Sequence, residues 1–129
     1  MIVVDASVLV DSLVGEGRAA ARQAAETLAA PHLVDVEVGS AVRRLAAAGT
    51  VSAAMASGAL DDLAELEIER HDHLGLLSRC WELRHNLTFY DAVYEALAEA
   101  LDVPLLTFDA RLASAPGIGA TVEVLPVDG

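Results

Sequence analysis

Four acidic residues stand where their side chains could converge. Asp5 follows directly on the apolar run Ile2-Val3-Val4, in "VVDASVLV", and Asp109 follows the apolar stretch of "PLLTFDARL". In open α/β sheets ligands bind beyond the carboxyl ends of the strands, so acids closing two neighbouring parallel strands can share a pocket. Asp91 comes soon after Thr88, in the first turn of a helix that Thr88 can cap, where free backbone N–H groups favour a negative charge. Glu37 lies in a helical stretch whose apolar positions are Val34, Val38 and Val42, which sets it beside the buried face. Clustered carboxylates repel one another unless they share protons or bind cations. Oxygen donors without histidine suit Mg²⁺ or Mn²⁺ rather than Zn²⁺. Such an ion neutralises a phosphate and lowers the pKa of a bound water for attack. Each acid also has a plainer reading: Asp5 and Asp109 as turn or cap residues, Asp91 as a helix-end charge, Glu37 as a helix-surface acid. Spacing alone leaves both readings open.

The elements that must position these acids follow from hydrophobic patterning. Ile2–Val4 does not alternate, as suits a strand covered on both faces. A helix begins near Ser7 and runs to Leu13, and Gly15 and Gly17 punctuate the chain. The composition from Arg18 to Ala30 predicts a helix ended by Pro31. Further helices are predicted over Leu33 to Ala48 with Gly49 as the stop, Ser52 to Leu66, Leu74 to Arg84 with Leu74, Leu77 and Trp81 aligned, and Thr88 to Leu101. Short strands are predicted at Glu67 to His71, Pro104 to Phe108 and Thr121 to Leu125. Short apolar strands alternating with helices give an α/β fold with a mostly parallel central sheet, in one domain over residues 1–129.

The 129-residue chain is 54% hydrophobic, enough for one sizeable core, and no run approaches the roughly 20 apolar residues of a membrane helix. The start lacks a leader pattern, which predicts a cytoplasmic protein. The net charge of −12, from 20 acids and 8 basic residues, disfavours nucleic-acid binding through a broad basic face. It permits an enzyme that meets phosphate through metal, and it suits a basic partner. All the basic residues are arginine. Arg43 and Arg44 beyond Glu37, Arg84, and Arg111 beside Asp109 are the candidates for contacting a substrate phosphate. His32, His71, His73 and His85 lack zinc-ligand spacing and read as surface or loop residues. Cys80 beside Trp81 reads as a small hydrophobe. Gly15-Glu16-Gly17 reads as a turn, without the lysine of a phosphate loop.

The strings "VVDASVLV", "VDVEVGSAVRRL", "LTFYDAVYEALAEAL" and "PLLTFDARL" occur in the order of the four signature regions of PIN domains. Over almost its whole length the chain resembles the VapC-type toxins of toxin–antitoxin pairs. The resemblance implies a three-layer α/β/α sandwich and a metal-dependent endoribonuclease using Mg²⁺, with Mn²⁺ as a substitute. It implies that Asp5, Glu37, Asp91 and Asp109 surround the metal, that Ser7 steadies Asp5 or a metal-bound water, and that Thr88 is the hydroxyl upstream of the third acid. The implied partners are an RNA substrate, a VapB-type antitoxin, and a second copy of the chain within a larger toxin–antitoxin complex. A basic antitoxin segment is expected across the Ala-rich stretches Arg18 to Ala30 and Ser52 to Leu66, with an arginine near Asp5 and Asp91. The competing readings are a non-enzymatic α/β interaction module and a metal-dependent DNA nuclease or phosphatase.

Overall fold

The computed structural model describes residues 1–127, so the last two positions of the expected 1–129 domain lie outside the described residues. The elements in order are β1 (Ile2–Val4), α1 (Ala6–Val14), α2 (Ala20–Ala24), β2 (Leu28–Pro31), α3 (Leu33–Ala47), α4 (Ala53–Glu65), β3 (Ile68–His71), α5 (Leu77–Glu82), α6 (Phe89–Leu101), β4 (Leu105–Thr107), α7 (Ala110–Ser114) and β5 (Val122–Val124). The five strands form one sheet in the order β3-β2-β1-β4-β5, and every pairing is parallel. Helices cover both of its faces in a three-layer α/β/α sandwich. The chain winds outward from β1 through β2 to β3, then returns to the other side of β1 for β4 and β5. The order therefore reverses between β1 and β4, which pair Val3 with Leu105 and Val4 with Leu106.

The core follows from the same sequence features. Ile2, Val3 and Val4 are wholly buried, as a central strand covered on both faces requires. Val34, Val38 and Val42 of α3 are buried together, and Gly49 at φ 77° ends that helix in the left-handed region that glycine enters without strain. Ser52 caps α4 by accepting from Met55 N at 3.1 Å, and Thr88 caps α6 by accepting from Asp91 N at 3.1 Å.

Two expectations fail. Arg18 to Ala30 is not one helix: only Ala20–Ala24 is helical, and Leu28–Pro31 is a fully buried strand between β1 and β3. Alanine's helix propensity is worth less than closing the sheet there, and small side chains suit a strand over which α3 and α6 pack. Pro31 ends the strand rather than a helix, and the following amide, His32 N, donates to His71 O at 2.9 Å. The second failure is Leu74 to Arg84, which is a 3₁₀ turn at Leu74–Leu76 followed by the short α5. Leu74, Leu77 and Trp81 are exposed, and Cys80 and Leu83 are the buried members of that stretch.

One buried acid takes part in neither the sheet nor the strand ends. Glu95 on α6 is 1% exposed and accepts from Ala120 N at 3.1 Å. Its neighbour Glu99 accepts from Gly119 N at 3.1 Å and from two nitrogens of Arg79 at 2.8 and 3.3 Å. Burial first, and then the hydrogen bond with Glu99, push Glu95 up to about 8, so it is a neutral acid near pH 7. The unfolded chain would ionise it near the ordinary glutamate value of 4.5. The folded state thus binds the extra proton between these values, and Glu95 makes stability fall as pH rises from about 4.5 to 8, after which its contribution is constant. The upper limit is about 1.4 kcal/mol per pH unit. Urea denaturation at pH 5 and pH 8 is expected to show a smaller drop in midpoint for Glu95→Gln than for the wild type. Equal drops would mean that Glu95 ionises alike in both states.

Candidate active site

The reversal of strand order opens a crevice at the carboxyl ends of β1 and β4, and the four acids named from the sequence line it. Asp5, Glu37, Asp91 and Asp109 border one pocket of about 190 Å³ together with Ser7 and Tyr94. Asp5 terminates β1 and caps α1, accepting from Val8 N at 3.3 Å and from Ser7 Oγ at 2.5 Å. Its other oxygen accepts from the hydroxyl of Thr107, the last residue of β4. Asp109 N donates in turn to Thr107 Oγ1 at 3.0 Å. The buried Thr107 therefore ties the two strand-end acids to one another. Asp91 enters from the first turn of α6, and Thr88 acts on it by capping its backbone amide. Glu37 reaches in from α3, where Tyr94 of α6 donates to its Oε1 at 2.6 Å.

The sequence reading missed Thr107 and Tyr94. Signals for both were present. Thr107 lies two residues before Asp109 at the end of a strand, and Tyr94 lies three after Asp91, within one helical turn. Neither is acidic, so a search for ionic ligands passes over them.

The electrostatics are those of buried carboxylates, with mutual repulsion a smaller addition. Burial raises the pKa of Asp5, against the lowering effect of the Ser7 and Thr107 hydroxyls. Burial likewise raises Glu37, against the Tyr94 hydrogen bond, and raises Asp91, with the Asp109 charge adding to it. Asp109 differs: the guanidinium of Arg111, 2.7 Å away at its nearest, holds that carboxyl below the usual range. Tyr94 is pushed upward by burial and by Glu37, so its phenol remains a donor.

The donor set fits a hard divalent cation, since the acids lining the pocket offer only oxygen and no histidine or cysteine borders it. The side chains are not gathered around a single point. Among the described residues, no three His, Cys, Asp or Glu side chains stand together closely enough to hold one metal ion. The hydrogen bonds explain why: Asp5 faces two hydroxyls, Glu37 faces Tyr94, and Asp109 faces Arg111. Coordination by three of these acids requires side-chain rotation, and Asp109 could join such a set only by sharing its oxygens with Arg111 or leaving it.

The four arginines named from the sequence separate. Arg111 is 87% exposed and sits on Asp109. Arg44 lines a larger groove beside the acid pocket. Arg43 and Arg84 border neither space, and Arg84 lies over the Trp81 ring at 4.4 Å from its centroid.

Comparison with known proteins places the chain in a family. The PIN domain family model matches residues 2–118. The chain belongs to the PIN domain family. It is 48% identical to Ribonuclease VapC1 of Mycobacterium tuberculosis over 128 residues, spanning 95% of this chain and 96% of that one. The crystal structure of PAE2754 from Pyrobaculum aerophilum matches at TM-score 0.67 and 31% identity, covering 94% of this chain and 82% of the other. VapBC2 from Rickettsia felis, solved bound to a DNA fragment from its promoter, matches at TM-score 0.68 and 15% identity, covering 98% and 100%. That last similarity concerns fold alone. Within the PIN family the chain is of the VapC type.

Burial of a carboxylate among other acids is expected to cost stability without a cation. In EDTA at pH 7, Asp91→Asn is expected to melt a few degrees above the wild type, a gain of about 1 kcal/mol, because it relieves burial of a charge beside Asp109. An equal or lower melting temperature in calorimetry would show that repulsion at Asp91 is not a significant stress.

Proposed function

We propose that this PIN domain is a Mg²⁺-dependent endoribonuclease toxin, with Mn²⁺ as a working substitute, that hydrolyses RNA phosphodiester bonds in the cytoplasm and is restrained by a VapB-type antitoxin. The observation that carries the reading is the convergence of Asp5, Glu37, Asp91 and Asp109 at the sheet's reversal point in a chain 48% identical to Ribonuclease VapC1. A bound divalent ion would neutralise charge at the phosphate and lower the pKa of a bound water so that it can lose a proton and act as nucleophile. The protein groups divide the remaining work. Asp5 is the central ligand, held in place by Ser7 and Thr107. Asp91 and Asp109 complete the direct or water-mediated ligand set. Glu37 binds a second ion or orients the attacking water, with its carboxylate fixed by Tyr94. Attack by water leaves no covalent enzyme intermediate to stabilise.

Mn²⁺ titration by calorimetry and cleavage mapping of cellular RNA test this reading. The Asp5→Asn/Asp91→Asn variant is expected to lose Mn²⁺ binding. Asp109→Asn is expected to fold normally and lose at least 100-fold in cleavage, and excess EDTA to silence the wild type. Cutting that persists in EDTA, or undiminished Mn²⁺ binding in the double variant, would refute the metal mechanism.

The antitoxin is read as a basic chain that places an arginine among the acids, substituting its charge and directed hydrogen bonds for the metal. Of the two Ala-rich stretches, α4 offers it an exposed surface with Met55 and Leu60, whereas Leu28, Ala29 and Ala30 are buried in the sheet. A second copy of the chain is read onto the other flank of the acids. There Val36, Leu77, Phe89 and Tyr90 are exposed apolar side chains around a hollow of about 540 Å³. Val36 and Tyr90 directly precede Glu37 and Asp91 in sequence, so this face adjoins the site. Sedimentation velocity is expected to show a dimer that Val36→Glu converts to monomer; an unaltered dimer would move the self-contact elsewhere.

A further inference from the structure

The acid pocket, at about 190 Å³, has room for a phosphate and its immediate surroundings but not for a nucleotide of RNA. A groove of about 610 Å³ opens beside it, and Ser7 and Glu37 border both spaces. Its lining is more apolar than that of the acid pocket, although Asp11, paired with Arg18, also borders it. Val10 of α1 and Ala41 and Leu45 of α3 give an aliphatic floor. Phe108, the residue before Asp109, also lines the groove, half-buried with one side against the core. Arg44 stands on the wall. Five of the eight arginines, Arg18, Arg22, Arg70, Arg79 and Arg111, make ion pairs with carboxylates. Arg44 makes none among the described residues and hydrogen-bonds only Ser40 Oγ, at 2.9 Å.

We propose that this groove is the subsite for the nucleotide next to the cleaved bond: its base lies against Phe108 and the aliphatic floor, and its phosphate meets Arg44. The proposal rests on the ribonuclease reading and adds a recognition surface to it. Three physical points favour RNA here. A phosphodiester held at the acids must lead its neighbouring nucleotide into an adjoining space, and this groove adjoins them through shared residues. An aromatic ring beside aliphatic groups accepts a base of any sequence by stacking. A guanidinium outside any ion pair, held only by the Ser40 hydroxyl, can meet a phosphate without breaking a salt bridge, in a protein of net charge −12.

The test uses a fluorescently labelled RNA oligonucleotide spanning a mapped cut, with binding followed by anisotropy and cleavage followed separately. Arg44→Gln is expected to raise KM about tenfold while kcat changes less than twofold. It should also make the dependence of log affinity on log salt shallower by about one unit. Mn²⁺ affinity by calorimetry should be unchanged, which separates a lost phosphate contact from a damaged fold. An abasic residue in place of the base beside the cut should weaken binding about tenfold to the wild type. It should cost little more in Ala41→Leu, which fills the floor. Wild-type affinity for both the Arg44→Gln protein and the abasic RNA would overturn the proposal. So would an Ala41→Leu protein that binds RNA normally but no longer retains its antitoxin, which would assign the groove to the protein partner. A wild type that binds RNA through Arg44 without cutting it would refute the catalytic reading and uphold the groove; one that binds no RNA would refute both.

Discussion

The parallel pairing of β1 with β4 is the constraint on which the site depends. Val3 opposite Leu105 and Val4 opposite Leu106 bring strands 102 residues apart in sequence into register, so that their next residues emerge at one end of the sheet. Asp5 N donates to Leu106 O at 3.3 Å, extending the ladder to the acid itself, and Thr107 then bridges Asp5 and Asp109 through its hydroxyl. A one-residue slip would turn Asp5 toward the opposite face and replace it with an aliphatic side chain. The apolar residues of β1 and β4 are wholly buried, so that slip would also expose core surface. Packing and chemistry thus enforce the same register.

The hydroxyls around the acids follow from this arrangement. A carboxylate at the end of a buried strand loses water, and Asp5, Glu37 and Asp91 all show the upward pKa pressure of that loss. Neutral donors offset part of it without neutralising the charge: Ser7 and Thr107 for Asp5, Tyr94 for Glu37. A lysine or arginine in their place would stabilise the carboxylates further and compete with any cation for them. Asp109 is the exception, and its cation belongs to Arg111, whose 87% exposure lets the side chain turn away into water.

Much of this was legible in the sequence, for reasons particular to each element. Ile2–Val4 and the β4 stretch are short, continuous apolar runs, and a fully buried parallel strand permits little else. The four-residue spacing of Val34, Val38 and Val42, and the Thr88 cap before Asp91, marked α3 and α6 and therefore the heights at which Glu37 and Asp91 enter the crevice. β2 was not legible because Leu28-Ala29-Ala30 carries helix-forming residues whose burial between β1 and β3 is decided by the rest of the sheet. The exposure of Leu74, Leu77 and Trp81 was hidden for the opposite reason: the same apolar spacing describes a side chain in the core and one on an apolar outer face. Thr107 and Tyr94 escaped because a neutral hydroxyl has no distinctive meaning until its acceptor is known.

The same limit of one-dimensional reading applies to the charge. A net −12 counsels against an RNA substrate only if the charge acts as a whole. At physiological ionic strength the screening length is about 8 Å, so exposed acids on distant faces contribute little at the crevice. The local balance is different: acids on the pocket's floor, Arg111 at its edge, and Arg44 on the adjoining wall with no acid committed to it. For a polyanion arriving there, repulsion along the approach slows encounter, while the groups within one screening length decide whether it stays. An acidic surface with a few locally placed arginines therefore disfavours RNA everywhere except where the backbone can meet them. The charge that argues against a broad nucleic-acid face is consistent with selective retention at a single crevice.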